Sequence, residues 1–198
     1  FEKFLNKNKH NQKKIICHLG SIGPDHYLEE IIKSIKFVKK NVALVIGGNS
    51  IGSYSSKLKN IIFKLKLMDK VFILEDISNK LWFEILKKSH LGLCFYKPSA
   101  LSHKYMAGTS QKFNNYLYFK IPMIVNDNSD FRKFKKKFDI YEITNSNNPK
   151  NIANNIDKIF MNKRRYMKIK KNMSLFFDKQ LNFEQQYFKS YGRFLLDQ

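Results

Sequence analysis

A doubly wound α/β domain with a mainly parallel sheet is the fold class this sequence predicts, and three observations predict it. Short apolar runs alternate along the chain with amphipathic stretches of helical period. The runs are hydrophobic at consecutive rather than alternate positions, as in NVALVIGG (41–48), so both of their faces must be covered by helices. At 198 residues and 43% apolar composition, the chain supports one substantial core.

KKIICHLG (13–20) is the first strand. PDHYLEEIIKSIKFVKK (24–40) follows as a helix, with Leu28, Ile31, Ile32, Ile35 and Val38 at helical spacing. NVALVIGG is the second strand, SYSSKLKNIIFKLKL (53–67) a helix, and DKVFILED (69–76) the third strand. NKLWFEILKKS (79–89) is a helix whose buried stripe is Leu81, Trp82, Ile85 and Leu86. HLGLCFY (90–96), SQKFNNYLYFK (110–120) and PMIVND (122–127) read as strand, helix and strand. FDIYEIT (138–144) is a weaker sixth strand, PKNIANNIDKIFMNKRRYMKIKKNM (149–173) a continuous helical stretch, and NFEQQYFKSYGRFLL (182–196) a last amphipathic helix.

The formal charge of +21 raises a nucleic-acid reading, since a strongly basic surface binds phosphate polymers. Lysine far outnumbers arginine, however, and asparagine, isoleucine and phenylalanine are abundant, the pattern of an A/T-rich coding bias. No nucleic-acid-binding signature is present, so nucleic acid is not the expected partner. Cys17 and Cys94 each lie in an apolar run without metal-type spacing and read as buried free thiols. No window has the length of a membrane span, and the start, FEKFLNKNKHNQKK, lacks the apolar run of a signal peptide, which points to a cytoplasmic chain.

In a doubly wound sheet, ligands bind at the carboxyl ends of the strands. The loop after the first strand is GSIGPDH, where Gly20 and Gly23 permit close backbone approach and Pro24 suits a first helical turn. It is not GxGxxG, and on local grammar an ordinary strand-to-helix turn is the better explanation. Gly47 and Gly48 likewise end a strand, where an ordinary turn and a functional loop explain them equally.

Residues 110–127, SQKFNNYLYFKIPMIVND, carry a more specific pattern. Together with the polar loop before them they resemble the donor-binding signature of the family 4 group of GT-B glycosyltransferases. Members read roughly proline, asparagine, lysine, leucine, phenylalanine, glutamate, tyrosine, then a small-residue turn, a proline and a strand ending in an acid. Here Ser110, Gln111, Lys112, Phe113, Asn114, Asn115 and Tyr116 match, with Pro122 opening the strand and Asp127 closing it. The resemblance extends back to the first strand and glycine loop, covering roughly residues 13–160.

The resemblance implies a Rossmann-like C-terminal half of a GT-B enzyme that binds a nucleotide-diphosphate sugar, UDP-linked by expectation, without metal or other cofactor. Residues 13–178 would form the donor-binding domain, 1–12 an interdomain connector, and 179–198 a helix bracing an N-terminal GT-B domain outside this sequence. Ser110 would open a helix whose N-terminus receives the diphosphate, with Gln111 beside it and Lys112 adding a mobile ammonium that stabilises the leaving group. Gly20, Ser21 and Gly23 would lie along the donor. Relatives carry an arginine and a second basic residue where Ser21 and His26 stand, so His26 inherits a diphosphate contact and, with Lys112, a catalytic role. Asn115 stands where the family has a glutamate on the ribose hydroxyls, which weakens that grip. The loop YKPSALSHKYMAG (96–108) would cover the donor through Tyr96, Lys104 and Tyr105, and Glu75, Asp76 and Ile77 would hold the base mainly through backbone groups.

FRKFKKKF (131–138) places Phe131, Phe134 and Phe138 on one helical side among five cations, and MNKRRYMKIKKNM (161–173) adds six. Solvated faces are the default explanation; the sharper one is adhesion to an anionic membrane at the inner face of the plasma membrane. The reading is therefore a retaining glycosyltransferase half acting on a glycan or lipid-linked acceptor in bacterial surface-polysaccharide synthesis. Its rivals are a non-catalytic nucleotide-sugar or scaffold module, favoured by Ser21, His26 and Asn115, and a basic membrane- or nucleic-acid-binding domain.

Overall fold

The computed structural model describes residues 13–181, together with 187, 188 and 192. The connector (1–12) and most of the C-terminal segment (179–198) fall outside the described residues. Six strands form the sheet: β1 (Lys14–Leu19), β2 (Val42–Gly48), β3 (Val71–Glu75), β4 (Leu91–Cys94), β5 (Met123–Asn126) and β6 (Tyr141–Thr144). Their order is β3-β2-β1-β4-β5-β6 and every pairing is parallel. The order reverses direction between β1 and β4, the place where such sheets open a crevice for ligands.

Among the described residues five α-helices connect the strands, α1 (Leu28–Ser34), α2 (Tyr54–Lys64), α3 (Asn79–Lys88), α4 (Gln111–Tyr118) and α5 (Ser129–Lys137), and two follow β6, α6 (Pro149–Met161) and α7 (Lys163–Phe176). They divide between the two faces. Ile15, Cys17 and Leu19 of β1 pack with α3, α4, α5 and α7, while Ile16 packs on the opposite side with α1, α2 and α6. Side chains alternate across each strand, and both sets are largely buried outside the edge strand β3, where residues 72–75 are half-buried, which is why the strands read as continuous apolar runs. Cys17 and Cys94 are buried free thiols, as their setting predicts.

Two helical stretches divide where the sequence suggests continuity. Residues 24–26 form a 3₁₀ turn, and Tyr27 takes a left-handed conformation (φ 53°) before α1 begins. Past Ser34 the chain leaves the helix, and the N–H groups of Lys39 and Lys40 donate to the buried carboxylate of Asp157 on α6 at 3.0–3.2 Å. The 149–173 stretch breaks at Asn162, whose side chain accepts from Arg165 N–H at 2.8 Å and so caps a new helix while the apolar period runs on.

The phenylalanines of the basic stretch also have a different role from the membrane reading. Phe131 is fully buried on α5, and Phe134 and Phe138 pack against Phe176 with ring centroids 5.5 and 4.3 Å away. They belong to the core. Below them Arg165 grips Asp139 at 2.5 and 2.6 Å and Glu142 at 2.6 Å, joining α7 to β6.

Candidate functional site

At the carboxyl ends of β1, β2 and β3 lies a cavity of about 540 Å³. Gly20 and Ser21 follow β1, Gly48 ends β2 and Asn49 follows it; Ile77 lies in the turn after β3, Asn79, Trp82 and Phe83 in the first turns of α3, and Gln111 and Asn115 on α4. None of these lining residues is charged. Two glycines make the close approach of β1 and β2 possible. A Cβ on Gly48 (φ 143°) would sit 1.9 Å from the Gly20 carbonyl oxygen, and the Gly20 N–H donates to Gly47 O at 2.9 Å. A backbone this close leaves no room for a side chain.

Gly20 has a second consequence. A Cβ there would meet Lys112 Nζ at 2.8 Å, so the ammonium lies against the bare backbone of the cavity wall. Lys112 is only 5% exposed and its Nζ stands 4.4 Å from the ring centroid of Tyr96. The expected mobile ammonium is instead a fixed one, because the inward side of α4 carries it. Burial lowers its pKa to about 8, only partly offset by the Cys94 thiol beside it.

Behind Lys112 is a layer of rings. His26 is buried, its Nδ1 lies 3.2 Å from Phe95 O, and its ring is 5.4 Å from His18, 5.2 Å from Tyr96 and 6.1 Å from His103. Burial first, and the charge of Lys112 second, hold His26 down to about 4, and the same two causes keep His18 well below the ordinary imidazole range. Neither ring nitrogen of His18 has a hydrogen-bond partner of ordinary geometry among the described residues, and the Leu93 backbone approaches it only loosely.

α4 is positioned by hydroxyls. Ser110 accepts from Phe113 N–H at 3.3 Å and shares a short hydrogen bond with the Tyr96 hydroxyl, so its side chain caps its own helix. The first-turn amides of Gln111 and Lys112 have no intrahelical acceptor. The Tyr116 hydroxyl accepts from Leu19 N–H and donates to Cys17 O, both at 3.2 Å, which binds α4 to the end of β1.

Of the residues the sequence singles out, Gly20, Ser21, Gln111 and Asn115 meet at the cavity. Others do not line it. Gly23 faces Ile51, whose Cδ1 a Cβ there would meet at 2.6 Å, an exposed side-chain end that can move aside. His26 turns inward to Phe95 O, and Tyr96 is a buried support for Lys112. Lys104 and Tyr105 sit exposed on a 3₁₀ turn (102–104) and its end, beyond the lining. Glu75 is held by Ser55 at 2.7 Å and Lys59 at 2.5 Å, and Asp76 (φ 49°) donates its N–H to Gly48 O, leaving Ile77 as that turn's cavity residue. Asn49, Asn79, Trp82 and Phe83 also line the cavity; no sequence motif marks them, although the carboxyl-end rule applied to β2 and β3 reaches them.

The parallel order and the glycine-walled crevice at its reversal define a Rossmann-like domain. The chain belongs to the family of glycosyl transferases group 1, whose model matches residues 1–175. No curated protein sequence matches it. Among solved structures it is similar to Anabaena HepE in complex with UDP and glucose (12% identity, TM-score 0.69, 87% of this chain and 46% of that one). It is also similar to WaaG, a glycosyltransferase involved in lipopolysaccharide biosynthesis (14%, 0.69, 90% and 46%), and to the C-terminal domain of a Francisella tularensis group 1 protein, LpcC (13%, 0.68, 90% and 92%). The chain thus spans about half the length of the first two and nearly all of the third. Among the described residues no helix is long and apolar enough to cross a membrane.

Proposed function

We propose that this chain is the donor-binding half of a glycosyltransferase that moves a sugar, with retention and without a metal, from a nucleotide-diphosphate sugar to a glycan or lipid-linked acceptor. The observation that carries the reading is the contact of Lys112 with Gly20: a fixed ammonium held against bare backbone at the wall of a cavity at the strands' carboxyl ends. A departing diphosphate gains negative charge as the anomeric carbon becomes cationic, and a preorganised cation lowers that barrier. The amides of Gln111 and Lys112 at the head of α4 add donors, and Trp82 and Phe83 offer aromatic surface to a base.

Family membership and the UDP and UDP-glucose complexes of HepE support a uridine nucleotide as the first candidate. The acceptor side would come from an N-terminal GT-B domain, with residues 1–12 as connector and 179–198 as brace. A cytoplasmic enzyme of bacterial surface-polysaccharide synthesis, peripheral on the membrane, fits the exposed cations Arg132, Lys133, Lys136 and Lys137 of α5 and Lys163, Arg164, Lys168 and Lys171 of α7. Each contributes about 1 kcal/mol near anionic lipid.

Titration with uridine, guanosine and adenosine diphosphates, with and without chelator, tests the reading. Weak binding of at least one, unchanged by chelation, is the expected result. Loss on chelation overturns metal independence, and no binding at all overturns the donor site.

A further inference from the structure

Lys112 is a buried cation for which no described residue supplies a counter-ion: none of the ion pairs among the described residues includes it. The groups that act on it or feel it come from several elements. Cys94 and Tyr96 face it from the end of β4, His18 from β1, and His26 from the 3₁₀ turn at 24–26, with His103 of the 3₁₀ turn at 102–104 behind His26. Among the described residues, the acid that acts on this group is Asp25, felt at His26, and its carboxylate already accepts from Ser99 at 2.8 Å. Burial pushes the Cys94 thiol up to about 11, so at neutral pH it supplies no negative charge. The layer is thus built from a lysine, three imidazoles and two neutral acids.

We infer that a diphosphate binding beside Gly20 supplies the missing counter-ion and is coupled to proton uptake by Lys112. The inference rests on the donor-site reading above. With a pKa of about 8 in the free protein, the lysine is mostly neutral at pH 8.5. An adjacent diphosphate favours its charged form and raises that pKa, so the complex takes up a proton in the window above 8. The phosphate itself releases none there, because its last ionisation lies near pH 6. His18 and His26, held low, stay neutral throughout this window and add no proton of their own. Affinity therefore falls as pH rises through about 8 and is level between 7 and 7.5.

Calorimetric titration of the protein with uridine diphosphate at pH 8.5, in two buffers of different ionisation enthalpy, reads the uptake directly. More than half a proton per ligand is expected in the wild type, and none with uridine. Lys112→Arg, whose charge is permanent, should bind with little uptake and a level pH profile. Because that variant has to fit a crowded site, the wild-type pH profile serves as a second measurement: the dissociation constant should rise towards tenfold per pH unit above 8.5. Binding without uptake, or with a level profile from 7 to 9.5, overturns the linkage while leaving the donor site standing; undiminished uptake in folded Lys112→Arg overturns the assignment to Lys112. Absence of any binding overturns the donor reading and this inference together.

Discussion

The ring of Tyr116 lies across Gly92, so close that a Cβ on the glycine would stand 2.5 Å from its Cδ2 atom. This places α4 directly on β4 and lets the Tyr116 hydroxyl reach the backbone of β1 at Cys17 and Leu19. The helix that carries Lys112, Gln111 and Asn115 is therefore registered against both strands that flank the crevice. Gly92→Ala should destabilise the domain by about 1–3 kcal/mol through overpacking. Tyr116→Phe should cost a similar amount, about 1–3 kcal/mol, by leaving a buried N–H and C=O without the hydroxyl. Chemical denaturation midpoints measure both.

Gly48→Ala should be far more damaging than Gly52→Ala. At Gly48 the added atom meets a backbone carbonyl at 1.9 Å, whereas at Gly52 (φ 55°) it meets nothing within 4 Å. The second substitution is expected to cost about 1–2 kcal/mol for its left-handed backbone alone. The first should both unfold the domain more easily and abolish nucleotide binding, measured by thermal shift with and without ligand.

Asn115→Glu restores the carboxylate that the family resemblance places on ribose. Replacing a neutral acceptor by a charged one should tighten nucleoside diphosphate binding by about 1 kcal/mol, or roughly fivefold. Inorganic pyrophosphate should gain nothing. Equal affinity for uridine diphosphate in both forms would remove Asn115 from ribose recognition.

Lys112→Ala should weaken diphosphate binding about ten- to a hundredfold, the loss of a charge-assisted interaction worth roughly 1.5–3 kcal/mol. Uridine itself should bind almost unchanged. Unaltered diphosphate affinity in a folded variant would place the donor elsewhere.

Acid should destabilise the domain from pH 6.5 downward, before carboxylates titrate. His26 and His90 are each held down to about 4, mainly by burial, and His18 lower than its ordinary value for the same reason. The unfolded chain binds protons at these rings from about 6.5, so the folded state loses ground on the order of 1 kcal/mol per pH unit for each ring as pH falls towards 4. Below that, Asp139 and Glu142, kept low by Arg165 and Lys135, add a further loss. A denaturation series from pH 7.5 to 4 checks the order: stability that is flat down to pH 5 would contradict it.

The strands were legible because parallel strands buried on both faces leave uninterrupted apolar runs. Helix limits were less so. The apolar period passes through Asn162 without a break, and only the hydrogen bond from Arg165 N–H reveals a new start. Four of the residues singled out line the candidate cavity: Gly20 and Ser21 follow from the carboxyl-end rule, whereas Gln111 and Asn115 came from the family resemblance. Lys104 and Tyr105 lie outside the cavity lining, and a long loop's sequence does not say which way it folds. Trp82 was counted with the buried stripe of α3, yet it is half-buried and serves core and cavity together. His18 gave no signal at all, since one polar residue inside an apolar run looks the same whether or not its ring finds a partner.

The absence of charge along the cavity lining bears on how the ligand responds to salt. Asn49, Asn79, Gln111 and Asn115 would recognise a ligand there by hydrogen-bond geometry, which added electrolyte does not screen, and the cation behind them is buried where screening is weak. The exposed lysines that make the chain so basic stand in water and have no such protection. Raising ionic strength should therefore strip adventitious polyanions from the surface while a nucleotide stays in its cavity, so a high-salt wash separates the two kinds of anion binding on one molecule.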